Sequence, residues 1–320
     1  MVETPVSWKA YSTPHCGNDG QFCTCDHYAG IADQRYDTVP ACVPVSASWW
    51  ISNSQNGSSA GILLGTGIDE FSCRYAWSCD DGNDSKEYQN AASIENQNME
   101  LSGVKRENVF LSTKLWPSEF ENENAVDETL ERLGVDYVDL LYIHQPAGNW
   151  ISGYRQLEKA YQDGKAKSIG ISNFEGKYLE ELETKWEVIP QFIQVEAHPY
   201  FTQKELRKTL DKYDIKLMSW YPLGHGDTSL LNENVFKTLG KKYGKNPAQI
   251  ILRWHTQMGF AVIPGSKNVS HIKDNLDIFD FTLTDDEMTE IAKLDKGVRY
   301  YNRTDEQLVA FAGWQPAYEK

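Results

Sequence analysis

The sequence predicts an α/β protein of the (β/α)8, or TIM-barrel, class with its first two strands irregular or missing, and three observations lead there. From residue 108 onward, short β-branched and aliphatic runs alternate with amphipathic helical stretches. Six such runs begin at intervals of roughly 24 to 45 residues, which leaves room for a helix between parallel strands and imposes right-handed crossovers. No Gly-rich phosphate fingerprint follows any run, which argues against a doubly wound sheet.

Taken in order, NVFLSTKL (108–115) reads as a buried strand. NENAVDETLERLG (122–134) reads as a helix closed by Gly134, a residue suited to the left-handed C-cap. VDLLYIHQP (138–146) is a strand stopped by Pro146. The pattern repeats: GYRQLEKAYQDG is a helix, AKSIGISNF a strand, GKYLEELETKW a helix, QFIQVEAH a strand, QKELRKTLDKYD a helix and IKLMSWYPL a strand. Two helices, VFKTLGKKYG and PAQIILRWHTQMG, precede the sixth strand FAVIPGS, and HIKDNLDIF and DDEMTEIAKLD supply the last helices. Six strands leave two to be found in the first 100 residues, where VPVSASWWI (43–51) and GILLGT (61–66) are the best candidates. That segment is expected to contribute at most one well-formed strand, near Gly61 to Thr66.

The first 100 residues differ from the rest of the 320-residue chain. All six cysteines (Cys16, Cys23, Cys25, Cys42, Cys73, Cys79) fall there, with net charge −9 in a stretch rich in Ser, Asn and Gly. Residues 1–100 are therefore expected to be an atypical, poorly ordered segment and 101–320 the barrel. A reading-frame error or a replaced segment joined to a regular barrel is the expected source of the contrast. His15, Cys16, Cys23, Cys25 and His27 crowd together but do not make a standard zinc spacing, so no metal is expected. The overall charge of −15, with no basic stripe, excludes nucleic acid as a partner. No stretch approaches the ~20 apolar residues that span a bilayer, and the N-terminus has neither a basic start nor an apolar core, so no membrane partner and a cytoplasmic setting are expected.

In a parallel barrel the carboxyl ends of the strands face the active site. Here those ends carry Thr113-Lys114-Leu115-Trp116, His144-Gln145, Ser172-Asn173, Gln194 with Glu196 and His198, Trp220-Tyr221-Pro222-Leu223-Gly224 and Gly265-Ser266-Lys267. A lysine at a buried strand end costs desolvation unless it is paired or used, and a histidine beside it can donate a hydrogen bond to a carbonyl. Each has a plainer reading as well: His144 as a satisfied core histidine, Ser172-Asn173 as a helix N-cap, Trp220 as core filling rather than a face for an aromatic ring. Trp116 and Trp150, with Tyr300, Tyr301, Phe311, Trp314 and Tyr318, are candidates for an apolar pocket wall or for packing on the barrel exterior.

Taken together, STKLW, DYVDLLYIHQP, KSIGISNF, QVEAHPYF, SWYPLG and IPGSKN…HIKDNLDIFDF closely resemble, in order and spacing, the aldo-keto reductases, a family of (β/α)8 barrels that reduce aldehydes and ketones with NADPH. The resemblance covers about residue 101 to the C-terminus. It implies that Lys114 is the catalytic lysine and His144 the substrate-orienting histidine. It also implies that Ser172, Asn173 and Gln194 hold the nicotinamide carboxamide and that Trp220 stacks on the ring. Leu223 and Gly224 would lie along the pyrophosphate, and Ser266, Lys267, Asn268 and Asn275 near the adenosine 2′-phosphate. His271 stands where many members place an arginine, which admits NADH beside NADPH.

The family's proton donor is a tyrosine in a D-x-x-x-x-Y pattern, and that pattern is absent. Family spacing falls on Gln89; its neighbour Tyr88 begins Tyr-Gln-Asn, similar to the family's Tyr-x-Asn, and is the expected donor. Asn83, with Asp84 one place off, stands five residues before it. Two functions follow: an NAD(P)H-dependent reductase acting on a small carbonyl compound, or a catalytically silent barrel that binds nucleotide or serves a structural role.

Overall fold

The computed structural model describes residues 106–108, 110–264 and 268–314, together with the short segments 50–52 and 61–63. Its strands are β1 (Trp50–Ser52), β2 (Gly61–Leu63), β3 (Ser112–Leu115), β4 (Leu140–Ile143), β5 (Ile169–Ser172), β6 (Phe192–Glu196), β7 (Lys216–Trp220) and β8 (Ala261–Val262). They form one curled sheet in the order β1-β2-β8-β7-β6-β5-β4-β3. From β3 to β8 each strand pairs in parallel with its successor in the chain, which is how a barrel is wound.

The six later strands fall inside the runs read from the sequence. The expectation of at most one strand near Gly61 is corrected. Two three-residue strands are present, paired antiparallel as Trp50↔Leu63, Ile51↔Ile62 and Ser52↔Gly61, and β2 then lies parallel to β8 through Ile62↔Val262. An antiparallel pair needs only a short connection, whereas a parallel pair needs a crossover of a dozen or more residues. Only eight residues separate β1 from β2.

The helices are α1 (Ala125–Leu133), α2 (Trp150–Gln162), α3 (Lys177–Glu183), α4 (Lys204–Tyr213), α5 (Thr228–Asn232), α6 (Asn234–Tyr243), α7 (Pro247–Gln257), α8 (Val269–Leu276), α9 (Asp285–Ala292) and α10 (Asp305–Gly313). Gly134 ends α1 at φ 63°, as its position suggested. Capping boxes start α7 (Asn246 with Gln249), α9 (Thr284 with Glu287) and α10 (Thr304 with Gln307). Helices α5 and α10 were not legible in the sequence: one has five residues, and the other has no well-defined apolar stripe. Among the described residues no helix is long and apolar enough to cross a membrane.

Strand alternation divides the side chains. Leu115, Leu141, Ile143, Ile169, Ile171, Ile193, Val195 and Leu217 face outward into the main core beneath the helices. The residues between them point inward, where Leu140, Tyr142, Met218 and Ala261 form a separate cluster. Register brings Lys114, Tyr142, Gly170 and Phe192 side by side in one layer, and Ser172, Gln194, Met218 and Ala261 in the next. At the amino end Asp139 closes the strands: it accepts from the Leu111 N–H at 2.9 Å and pairs with Arg106 at 2.8 Å and Lys167 at 3.0 Å.

Gly170 is the gap into which the Tyr142 ring fits, since a Cβ there would lie 2.5 Å from Tyr142 Cδ1 and 3.1 Å from the Phe192 carbonyl. Gly170→Ala is expected to lower unfolding stability by about 1–3 kcal/mol, the usual cost of overpacking. Urea denaturation of G170A, Y142L and the double variant tests this. The double variant should lose less than the sum of the two singles; full additivity would remove the proposed clash.

Candidate active site

At the carboxyl ends the inner face turns polar. Lys114 lies on β3 in register with Tyr142, and His144 stands two residues beyond Tyr142, so both side chains belong to the inner face. The His144 backbone N–H donates to the Leu115 carbonyl at 3.0 Å, which carries the strand pairing past the end of β4. Burial, and next the Lys114 cation, push the His144 imidazole well below its ordinary range. His144 is therefore neutral at pH 7, and its ring carries one N–H donor.

Trp116 packs on His144. Its ring meets His144 edge-on at 4.8 Å, and its Nε1–H points between the carbonyls of Phe311 (3.2 Å) and Trp314 (3.1 Å) at the end of α10. The rings of Phe311 and Trp314 pack against Trp116 at 5.6 and 4.9 Å. These aromatics of the C-terminal segment thus pack on Trp116 beside His144. Trp150 instead enters the outer core, edge-on to Phe174 at 5.3 Å. Tyr318 lies outside the described residues.

Across the site, β5 ends in Ser172, and Asn173 follows in the left-handed region at φ 61°. Helix α3 begins four residues after Asn173, and Gly176 occupies its cap position, so neither Ser172 nor Asn173 serves as the N-cap. Every polar group of Asn173 is engaged. Its N–H donates to the Gln194 carbonyl at 2.9 Å, its Oδ1 accepts the Trp220 indole N–H at 3.1 Å, and its Nδ2 reaches Gln145 Oε1 at 3.4 Å. Its carbonyl accepts from Arg303, whose Nη1 also donates to Gln145 Oε1 at 2.9 Å.

Ser172 and Gln194 sit side by side in register, both buried. Among the described residues Gln194 Nε2 has only the Met218 thioether, at 3.6 Å, and the Ser172 hydroxyl makes no hydrogen bond. A buried hydroxyl and a buried amide with unused capacity, beside the Asn173 amide, suit a carboxamide that offers both donor and acceptor. The donor set therefore fits the nicotinamide end of a dinucleotide. Trp220 borders it, with Tyr221 at 4.2 Å and Tyr301 at 5.4 Å.

Beyond β7 the chain turns through Leu223 and Gly224. Gly224 is left-handed at φ 81°, and a Cβ there would press on Leu230 Cδ2 (3.1 Å) and Tyr300 Oη (3.2 Å). Leu223 packs between the two outer cores. Asn268 caps α8 by accepting from the Ser270 N–H at 2.9 Å, and Asn275 is buried with Nδ2 3.4 Å from the Pro264 carbonyl. Ser266, Lys267, Tyr88, Asn83, Asp84 and the Cys/His cluster of residues 15–27 lie outside the described residues.

Three further contributors were given no role from the sequence, although Gln145 and Glu196 stand among the strand-end residues. Gln145 directly follows His144 at the end of β4, and its position alone placed it at the site without assigning it a partner. Arg303 carried no signal, because its partners are 158 and 130 residues away. The third is Glu196, buried behind the site, which takes His198 Nε2 at 2.9 Å and the backbone N–H groups of Tyr300 and Tyr301. Burial alone would raise this carboxyl. The bonds from His198 and from the two N–H groups outweigh burial and hold it below its ordinary range.

A family model described as the aldo/keto reductase family matches residues 83–296, a span that includes Tyr88. The chain is 42% identical over 211 residues to a glyoxal reductase of Bacillus subtilis, covering 65% of this chain and 76% of that protein. It is 37% identical over 202 residues to the methylglyoxal reductase DkgA of Escherichia coli, covering 62% and 74%. Among solved structures, a Bombyx mori aldo-keto reductase in complex with NADP superposes with a TM-score of 0.64 at 29% identity, covering 69% of this chain and 79% of that one.

Behind the site, His255 is fully buried, with Nδ1 2.8 Å from the Ile251 carbonyl and Nε2 3.1 Å from that of Ala197. Burial lowers its pKa to about 4. The folded protein holds this ring neutral while the unfolded chain takes up a proton below pH ~6.5, so stability rises with pH across that window. Unfolding free energy is expected to fall by about 3 kcal/mol on this account between pH ~6.5 and ~4. Urea unfolding across that range, beside His255→Gln, checks it; an equally steep slope in the variant would assign the loss elsewhere.

Proposed function

The chain belongs to the aldo/keto reductase family, and on that premise we propose that it reduces aldehydes or ketones to alcohols by hydride transfer from a bound nicotinamide dinucleotide. The observation that carries this reading is the convergence, on one inner face, of Lys114, a neutral His144 and the Ser172, Asn173 and Gln194 set beside Trp220. NADPH is the expected cofactor, with NADH a second, and the solved relative in complex with NADP supports that choice. Short carbonyl compounds are the expected substrates, in keeping with the glyoxal and methylglyoxal reductases among the relatives. We also propose a cytoplasmic setting, in which a diffusible cofactor and a small carbonyl compound meet the enzyme.

The residues divide the work. Ser172, Asn173 and Gln194 hold the carboxamide and so set which ring face points to the substrate, while Trp220 supplies a flat apolar wall. Leu223 and Gly224 bring backbone close to the pyrophosphate; Ser266, Lys267, Asn268 and Asn275 are assigned to the adenosine end. The cofactor, when bound, supplies the hydride. His144 donates its single ring N–H to the carbonyl oxygen, which both orients the substrate and draws electron density from the carbon to be reduced. Its neutrality follows from burial and from Lys114, so it directs a hydrogen bond without placing a second positive charge beside the lysine.

The alkoxide that forms must take a proton. We assign this donor to Tyr88, with the Lys114 cation lowering the phenol from its ordinary pKa near ~10. Hydride and proton together convert the carbonyl to the alcohol and balance the reaction.

NADPH is expected to quench tryptophan fluorescence at micromolar concentration and to be oxidised steadily with glyoxal or an aromatic aldehyde. No quenching up to millimolar cofactor would defeat the proposal, and binding without turnover would leave a silent barrel. Lys114→Met and Tyr88→Phe should each slow turnover by roughly 10²- to 10⁴-fold while leaving NADPH affinity unchanged. A Tyr88→Phe variant of near-normal rate would move the donor role to His144 or water.

A further inference from the structure

Among the described residues Arg303 is a cation without a paired anion. Its guanidinium is partly buried, and its two hydrogen bonds go to neutral oxygens, Gln145 Oε1 and the Asn173 carbonyl. Among the described residues no carboxylate forms an ion pair with it, and nearby Glu175 is already paired with Arg299. Withdrawing a guanidinium from water for two neutral acceptors is costly unless the arrangement secures something else.

What it secures is the orientation of two amides. Guanidinium and indole N–H groups can only donate. Arg303 Nη1 therefore turns the oxygen of Gln145 toward itself, and the same oxygen faces Asn173, which must present its Nδ2. At the opposite side of Asn173, Trp220 Nε1 demands Oδ1. With a donor-only group at each end, neither amide can flip without breaking a bond. The second Arg303 bond, to the Asn173 carbonyl, also supports that residue in a left-handed conformation that an L-residue adopts at a cost.

Arg303 is itself held in place from both sides. The Tyr300 and Tyr301 N–H groups are fixed on Glu196, and Thr304 caps α10 one residue later.

We infer that Arg303 is a positioning residue for the nicotinamide carboxamide: acting through Gln145, it locks the Asn173 amide in the orientation that receives that group. The inference rests on the cofactor reading above. It assigns the C-terminal segment a part in cofactor binding through a side chain that does not itself touch the dinucleotide.

The test separates the nicotinamide from the rest of the cofactor. Calorimetric titrations with NADPH and with 2′,5′-ADP, which has the 2′-phosphate but no carboxamide, would be run on the full chain and on Arg303→Met, Arg303→Lys and Gln145→Met. Gln145→Met breaks the relay but leaves the bond from Arg303 to the Asn173 carbonyl, so it tests the relay without releasing the segment. Arg303→Met and Gln145→Met should weaken NADPH by about five- to twentyfold, the worth of one or two hydrogen bonds, and leave 2′,5′-ADP unchanged. Arg303→Lys should recover part of the loss, since an ammonium restores a donor without bridging both acceptors. Equal weakening of both ligands would show a merely structural role and overturn the inference. So would a Gln145→Met variant that binds NADPH like the parent. A parent chain that binds neither ligand would overturn the cofactor reading itself, an outcome distinct from either of these.

Discussion

Parallel pairing is the constraint from which the rest of this structure follows. A parallel strand cannot return through a tight turn, so each one feeds a helix that must lie back over the sheet, and both faces of every strand end up covered. The residue-by-residue alternation of the strands then decides what covers them. Ile169, Ile171, Ile193 and Val195 meet the helices, whereas Gly170, Ser172, Gln194 and Glu196 point inward. The inner face is apolar toward the amino ends, around Leu140, Tyr142 and Met218, and polar toward the carboxyl ends. The site occupies the polar end, where strand ends and loops bring donors and acceptors together and leave Ser172 and Gln194 with capacity for a ligand.

Within that frame the site is organised by groups that can play a single hydrogen-bonding role. Trp220 and Arg303 only donate and thereby orient the amides between them; Glu196, ionised, only accepts and gathers His198 with two backbone N–H groups. The charges follow the same logic. Lys114 helps keep His144 neutral, so a cation and a neutral donor stand side by side. The C-terminal segment is built into this arrangement, since Tyr300 and Tyr301 rest on Glu196, Arg303 reaches across to Gln145, and α10 ends on the indole of Trp116.

The antiparallel β1–β2 hairpin is the departure from the all-parallel plan. It adds to β8 through β2, leaving β1 and β3 at the two ends of the strand order. A ribbon with a short connection can attach to a sheet edge without a covering helix of its own, which distinguishes it from the βα units that follow.

Much was legible in the sequence, for reasons of range. Strand and helix positions and the Gly134 cap depend on neighbours within a few residues, and period-two alternation by itself puts Ser172 and Gln194 on the face opposite their isoleucine and valine neighbours. The order of strand-end motifs is also a linear property, which is why Lys114, His144, Asn173 and Trp220 could be singled out together. Tertiary structure alone decided which donor turns which amide. Arg303 meets Gln145 across 158 residues, Trp116 meets Trp314 across 198, and the Tyr301 N–H finds Glu196 across 105. Hydrogen bonds are short-ranged and directional, so partners so far apart in the chain leave no periodicity to read, and only the curling of the sheet brings them within reach.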